Sequence, residues 1–351
     1  MFDDSSLRYE NLRAGTSRQL ATVEKFTGPT AVSSDRAHVA FAYAADDSAN
    51  LAVIELDTRE IQHLHRSGLE TEYSLSWSPD ADALAFGFFS GTDEGERGPG
   101  AISIASLDGS TRSVGCQAAH EILQWLPDGR LAVRDSDNLY VVGTRDCETV
   151  TSLDIRKMHK ITYAPDGRHM GYIFRDLVYD RENAEYVPDS TLFIAGAHGD
   201  DKNELFDDAY RARHLQWSPD GSDLAFGVRS EADRSRRQVI VYNVDDDRLT
   251  YLIPPERAGS GDEVQPRWSP SGDNIAFTLR RNGSSYAAVQ VMGQTRTLGS
   301  SDGPVWGWAR DRQVVFSGAD STRIVDLEGT TVHAFSRDRE LLHVWPLFDG
   351  S

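Results

Sequence analysis

The chain has 351 residues, with 55 acidic against 36 basic side chains and a formal net charge of −19. No run approaches the ~20 apolar residues of a membrane-spanning helix, and no zinc pattern, phosphate loop or dinucleotide fingerprint is present. The acidic start Met1-Phe2-Asp3-Asp4 lacks the apolar core of a secretory signal, so a cytoplasmic chain is expected, exported only if Met1 replaces a removed leader.

In chain order, residues 1–27 read as an N-terminal arm, and Ser17–Thr22 within it has the composition of a strand. From there to about residue 340 one phrase recurs: an aromatic or apolar residue, a turn, then a small apolar strand. It begins as Val32-Ser33-Ser34-Asp35 before Val39-Ala40-Phe41, then Trp77-Ser78-Pro79-Asp80 before Leu84-Ala85-Phe86. Trp125-Leu126-Pro127-Asp128-Gly129 precedes Leu131-Ala132-Val133, and Tyr163-Ala164-Pro165-Asp166-Gly167 precedes Met170-Gly171-Tyr172. Trp217-Ser218-Pro219-Asp220-Gly221 and Trp268-Ser269-Pro270-Ser271-Gly272 follow, and Trp308-Ala309-Arg310-Asp311 is the last. Anchors at 35, 80, 128, 166, 220, 271 and 311 give seven units, at intervals that suit a four-stranded propeller blade and exceed an ankyrin or tetratricopeptide repeat.

Each word of the phrase has a physical task. Proline presets its backbone angle, aspartate bonds the backbone ahead, and glycine relaxes the exit, so two strands meet there as a hairpin. Third strands follow at Ala101–Ile104, Asn138–Val142, Thr191–Ile194, Gln238–Tyr242 and Thr322–Val325, all rich in β-branched or aromatic residues. Poorer fourth strands read at 111–114, 249–252 and 331–335. The expected fold is all-β, a seven-bladed β-propeller of four-stranded antiparallel blades, with six or eight blades as alternatives. The arm could close the ring as a fifth strand of the last blade. Alternatively, arm and strand-like tail (341–351) could form a partial eighth blade.

The Trp-Ser-Pro-Asp-Gly…Leu-Ala-Phe phrase resembles the WD40-like propeller repeat of the TolB type, which also builds the propellers of prolyl-oligopeptidase-like peptidases. The likeness covers roughly residues 28–335. It implies a fold and leaves the job open, because such propellers act as scaffolds, partners, gates and enzymes.

Two sets of residues are candidates for function. If the strand leading into each tryptophan is innermost, Glu72, His120, His159, His214 and Glu263 gather at a channel mouth. There they could bind a divalent metal or work as an acid–base set, or simply line wet space. The second set lies on two insertions between second and third strands. Arg175–Asp189 carries Tyr179, Arg181 and Tyr186, and Arg229–Arg237 carries Arg229, Arg234, Arg236 and Arg237. Tyrosine beside arginine is typical of binding hot spots; the alternative is a solvated loop whose arginines pair with Glu231 and Asp233.

Other letters carry less. Gly299–Gly303 spells a nucleophile elbow without the helix it needs. Asp135-Ser136-Asp137-Asn138 lacks the glycine and glutamate of a calcium loop. His63-Leu64-His65 reads as two imidazoles on one strand face. Cys116 and Cys147 read as packed free thiols. Four lysines against 32 arginines, with 37 aspartates, suggest adaptation to high salt. The function expected is a non-catalytic scaffold binding a protein through its loop-bearing face, without cofactor, membrane or nucleic acid. The alternative is a ligand- or metal-binding propeller, directed at carbohydrate or peptide or gating a peptidase.

Overall fold

The computed structural model describes residues 6–11, 16–68, 71–90, 101–114, 121–145, 148–180, 185–206, 213–229, 237–252, 265–281 and 283–336. All regular structure among them is β, and the chain divides into two compact units, Phe2–Arg156 and Lys157–Ser351. The N-terminal unit holds a hairpin, β1 (Ser6–Asn11) and β2 (Thr16–Thr22), and three four-stranded sheets. The first sheet is β3 (Lys25–Val32), β4 (His38–Ala45), β5 (Ser48–Glu55) and β6 (Ile61–Gly68). The second is β7 (Thr71–Trp77), β8 (Ala83–Ser90), β9 (Ala101–Ser106) and β10 (Thr111–Ser113); the third is β11 (Glu121–Trp125), β12 (Leu131–Arg134), β13 (Asn138–Val142) and β14 (Thr149–Asp154).

The C-terminal unit holds four sheets. The fourth is β15 (Met158–Tyr163), β16 (His169–Asp180), β17 (Glu185–Gly196) and β18 (Asn203–Phe206). The fifth is β19 (Arg213–Trp217), β20 (Asp223–Arg229), β21 (Arg237–Asn243) and β22 (Arg248–Tyr251). The sixth is β23 (Arg267–Trp268), β24 (Ile275–Arg281), β25 (Ser284–Val291) and β26 (Gln294–Ser301). The seventh is β27 (Val305–Arg310), β28 (Gln313–Ser317), β29 (Ser321–Asp326) and β30 (Thr331–Ser336). Every sheet runs antiparallel in sequence order, the strand set of seven propeller blades.

The turn phrase folds as its chemistry dictates. Asp35, Asp128, Asp166 and Asp220 each accept a hydrogen bond from the main-chain N–H two residues on. Ser33, Ser78, Ser218 and Ser269 accept from the N–H five residues on, which closes the hairpin. Gly221 adopts φ +80°, and a Cβ there would lie 2.8 Å from Asp166 Cγ of the preceding sheet's turn, so glycine serves conformation and contact together. The aromatic ending the small strand becomes the core: Phe41, Phe86, Phe226, Phe277 and Phe316 are fully buried. Each such burial contributes about 1.5–3 kcal/mol.

Neighbouring sheets are joined by one repeated device. The indole N–H of Trp77 donates to Ala31 O (3.1 Å) and that of Trp217 to Thr162 O (3.4 Å). Trp268 donates to Gln216 O (3.0 Å) and Trp308 to Arg267 O (2.7 Å). In these four bonds the acceptor is the residue preceding the equivalent position of the sheet before: Val32, Tyr163, Trp217 or Trp268. First strands are edges with unpaired N–H groups, and side chains of the preceding sheet satisfy some of them. Ser74 and Ser76 accept from Ile122 N and Trp125 N, and Thr278 accepts from Val305 N. Much of the polar lining expected of these strands therefore has a structural task.

The N-terminal hairpin pairs with itself and places Leu7, Leu20 and Ala21 on Val39, Phe41, Tyr43, Ala52 and Ile54 of the first sheet. The opposite face of that sheet (Ala40, Ala42, Leu51, Val53) packs on Tyr73, Trp77, Leu84 and Phe86 of the second. One expectation fails here. The β5–β6 register shifts so that Leu51 faces His65 and Ala52 faces His63, leaving Leu64 as the extra residue of a bulge. The two imidazoles therefore occupy opposite faces. His63 Nδ1 lies 2.9 Å from Tyr43 OH, and His65 Nδ1 lies 3.0 Å from Tyr73 OH.

Candidate interaction site

The insertion at 175–189 is a continuation of the fourth sheet. β16 and β17 are 12 residues each and stay in register from His169↔Gly196 to Asp180↔Glu185. Leu177, Val178 and Tyr179 on one strand and Tyr186 and Val187 on the other supply the β-branched and aromatic residues that extend the ladder. Among the described residues the β17–β18 pairing reaches only Leu192, so no described strand needs a main-chain donor from Pro188 on that side. Tyr179 stands opposite Tyr186, the last pair but one before the turn.

In the fifth sheet the last pair among the described residues is Arg229↔Arg237. Arg175 and Arg229 each follow the anchor aromatic by the same interval, so β16–β17 runs on from Arg175 to Asp180, about 17 Å beyond the level of Arg229. The two sheets are packed through Ile173, Leu192 and Ile194 against Phe226, Val228 and Ile240. Both second-to-third-strand hairpins leave that interface at the same end. The register pairs Tyr179 with Tyr186 in the fourth sheet and Arg229 with Arg237 in the fifth, while Arg181, Arg234 and Arg236 lie outside the described residues.

The first-strand candidates are less coherent. Glu72 lies on β7 opposite Phe89, and His120 and Glu263 lie outside the described residues. His159 is exposed on β15, and His214 is half-buried on β19. They do not hold the same repeat position, since His214 corresponds to Lys160. Those two residues are both left-handed, at φ 58° and 55°, where each first strand is bulged. No group of three or more metal-ligating side chains occurs among the described residues. In the sixth sheet Arg267 is half-buried with its Nε unpartnered, and desolvation lowers its pKa.

The weaker motifs resolve into ordinary structure. Ser301 ends strand β26, and its hydroxyl lies 2.6 Å from Gly303 O and 3.0 Å from Ser317 O, so it is no exposed nucleophile. Burial alone would raise the Asp135 carboxyl, yet hydrogen bonds from Asp137 N, Asn138 N and Tyr140 OH outweigh it and hold the pKa below the usual range. That carboxylate closes a turn. Cys116 and Cys147 lie outside the described residues.

Sequence reasoning missed one cavity. A pocket of about 490 Å³, open on one side, is lined by Thr22, Val23 and Glu24 beside Phe41, Tyr43, Ala45, Ile61 and His63, with the Tyr43–His63 hydrogen bond at its polar corner. Burial raises the Tyr43 pKa. No single motif announces this space, because it forms only where the N-terminal hairpin meets the first sheet.

No known family profile matches the chain, and no curated protein does. Solved structures do. The β-propeller domain of the Trilobed protease from Pyrococcus furiosus aligns with TM-score 0.55 at 13% identity, over 90% of this chain and 98% of that domain. Porphyromonas gingivalis dipeptidyl peptidase 4 aligns with TM-score 0.59 at 14% identity, over 85% of this chain. The fold is a β-propeller. This chain spans about half the length of that peptidase, 49%. Oligogalacturonate lyase from Vibrio parahaemolyticus aligns with TM-score 0.52 at 14% identity, over 92% of this chain and 83% of that one. Propellers of protease, peptidase and lyase are thus matched about equally well, which supports the fold expected from the repeat and leaves the chemistry open.

Proposed function

We propose that this propeller is a non-catalytic scaffold that binds an acidic protein segment along the hairpin-bearing edge of its fourth and fifth sheets. The observation that carries this is the overhang of β16–β17, with the Tyr179–Tyr186 pair, above the like-charged Arg229–Arg237 pair. Aromatic residues give contact area at low entropic cost, and paired guanidinium groups give carboxylate selectivity. Rigid sheets beneath make the edge a preorganised surface.

The test is affinity capture at native salt concentration with the full chain, comparing wild type with Arg229→Glu/Arg237→Glu and with Tyr179→Ala/Tyr186→Ala. Both variants should fold and lose the captured partner, with a Kd for the isolated partner at least about tenfold weaker. Undiminished capture by both would remove the reading. A second reading, ligand or metal binding by first-strand residues, is favoured by the left-handed backbone at half-buried His214. Elemental analysis of the purified protein tests it, since stoichiometric metal lost in His214→Ala would support it and metal-free protein would not.

A further inference from the structure

Buried polar side chains in folded proteins almost always hold a hydrogen-bond partner. Three that lack one face the interface between the fourth and fifth sheets. Ser190 is 1% exposed and Gln238 3%. Ser190 Oγ, Gln238 Nε2 and Arg175 Nε are all buried with no partner.

Register and alternation set their direction. Ile173 and Leu192 face each other across β16–β17 and pack on Val228 and Ile240 of the fifth sheet. Arg175 and Ser190 are the next same-face pair outward, so their side chains address the same interface. Gln238 stands opposite Val228 and two residues from Ile240, so it addresses that interface from the other side. All three lie at the end from which the hairpins leave.

Their chemistry is uniform. A guanidinium N–H, an amide NH2 and a hydroxyl can all donate, and the guanidinium carries a full charge. The adjacent carboxylate, Asp176, bonds Lys157 Nζ instead, at 2.6 Å. Arg175 is itself anchored through its main-chain N–H to Lys157 O at 2.7 Å. Water would satisfy the donors, whereas an oxyanion satisfies them and also meets the guanidinium charge. We propose that Arg175, Ser190 and Gln238 form a binding site for a small oxyanion, a carboxylate or a phosphate, between the fourth and fifth sheets. Arg175 is half-buried and the other two are enclosed, which puts the entrance on the guanidinium side. The site stands on these donors and does not depend on the partner reading above.

Thermal unfolding of the full chain, at constant ionic strength set with KCl, tests the site with two probes, inorganic phosphate and succinate. Wild type should show a saturable rise in Tm with one of them, and which one identifies the anion. Arg175→Met and Gln238→Leu should bind that probe at least about tenfold more weakly, the loss of one charge-assisted bond. Without anion, Gln238→Leu should be as stable as wild type or more so, because an orphaned amide has been replaced by an apolar group of similar size. The site is overturned if neither probe raises Tm saturably in wild type, or if both variants respond as wild type does.

Discussion

His63 and His65 are separated by one residue and belong to different interfaces. The bulge at Leu64 turns one imidazole to Tyr43 and the other into the packing between the first and second sheets. There His65 lies against Phe88, with ring centroids 4.1 Å apart, and burial lowers its pKa while pushing Tyr73 up to about 12. A histidine whose folded pKa falls below its unfolded 6.5 binds fewer protons folded than unfolded in the interval between the two. Its contribution to stability is therefore complete above about pH 6.5 and is lost as pH falls through the folded value. Urea midpoints at pH 7.5 and pH 5 should show a larger loss for wild type than for His65→Gln. An equal loss would mean that this imidazole is not desolvated.

At the scale of elements, the indole bonds between sheets carry the argument. Trp308 is buried and donates to Arg267 O at 2.7 Å. Trp308→Phe keeps most of the apolar area and leaves that carbonyl without its donor, so unfolding free energy should drop by about 2 kcal/mol, read from the urea midpoint. The strands themselves were legible in the chain because turn chemistry and β-branched runs recur with a regular interval. The length of β16–β17 was not, since Asp176, Asp180, Glu185 and Pro188 interrupt the hydrophobic pattern, and pairing between the two strands overrides it. The opposed histidines were hidden for a related reason. One extra residue inverts the face of everything beyond it and leaves no mark in composition. The orphaned donors Arg175, Ser190 and Gln238 come from three strands of two sheets, and only the register brings them together. Tyr179 and Tyr186 stand out in the sequence by residue type, and only the fold shows that they pair directly.

For the whole molecule, seven repeat phrases became seven four-stranded sheets, and the count stands. The arm is expected to close the last blade or a partial eighth one; among the described residues Thr16–Thr22 instead pairs with β1 in a two-stranded sheet that packs on the first blade. The net charge of −19 belongs to this scale too. Carboxylates repel across about 30 Å at 0.01 M salt and across about 3 Å at 1 M, so added salt relieves the folded state. Raising KCl from 0.1 to 2 M should raise Tm, and a flat or falling profile would contradict the salt adaptation read from composition.

Four of the seams between sheets use one clasp: an indole on the later copy grips the carbonyl just ahead of the residue at the corresponding position on the earlier one. Even the fourth copy, with Tyr163 in place of tryptophan, still offers Thr162 O to its successor. Such a joint is indifferent to how many copies stand in the row. Gain or loss of a whole repeat by in-frame recombination rejoins a donor to an acceptor it already fits, so blade number can drift while each seam stays intact.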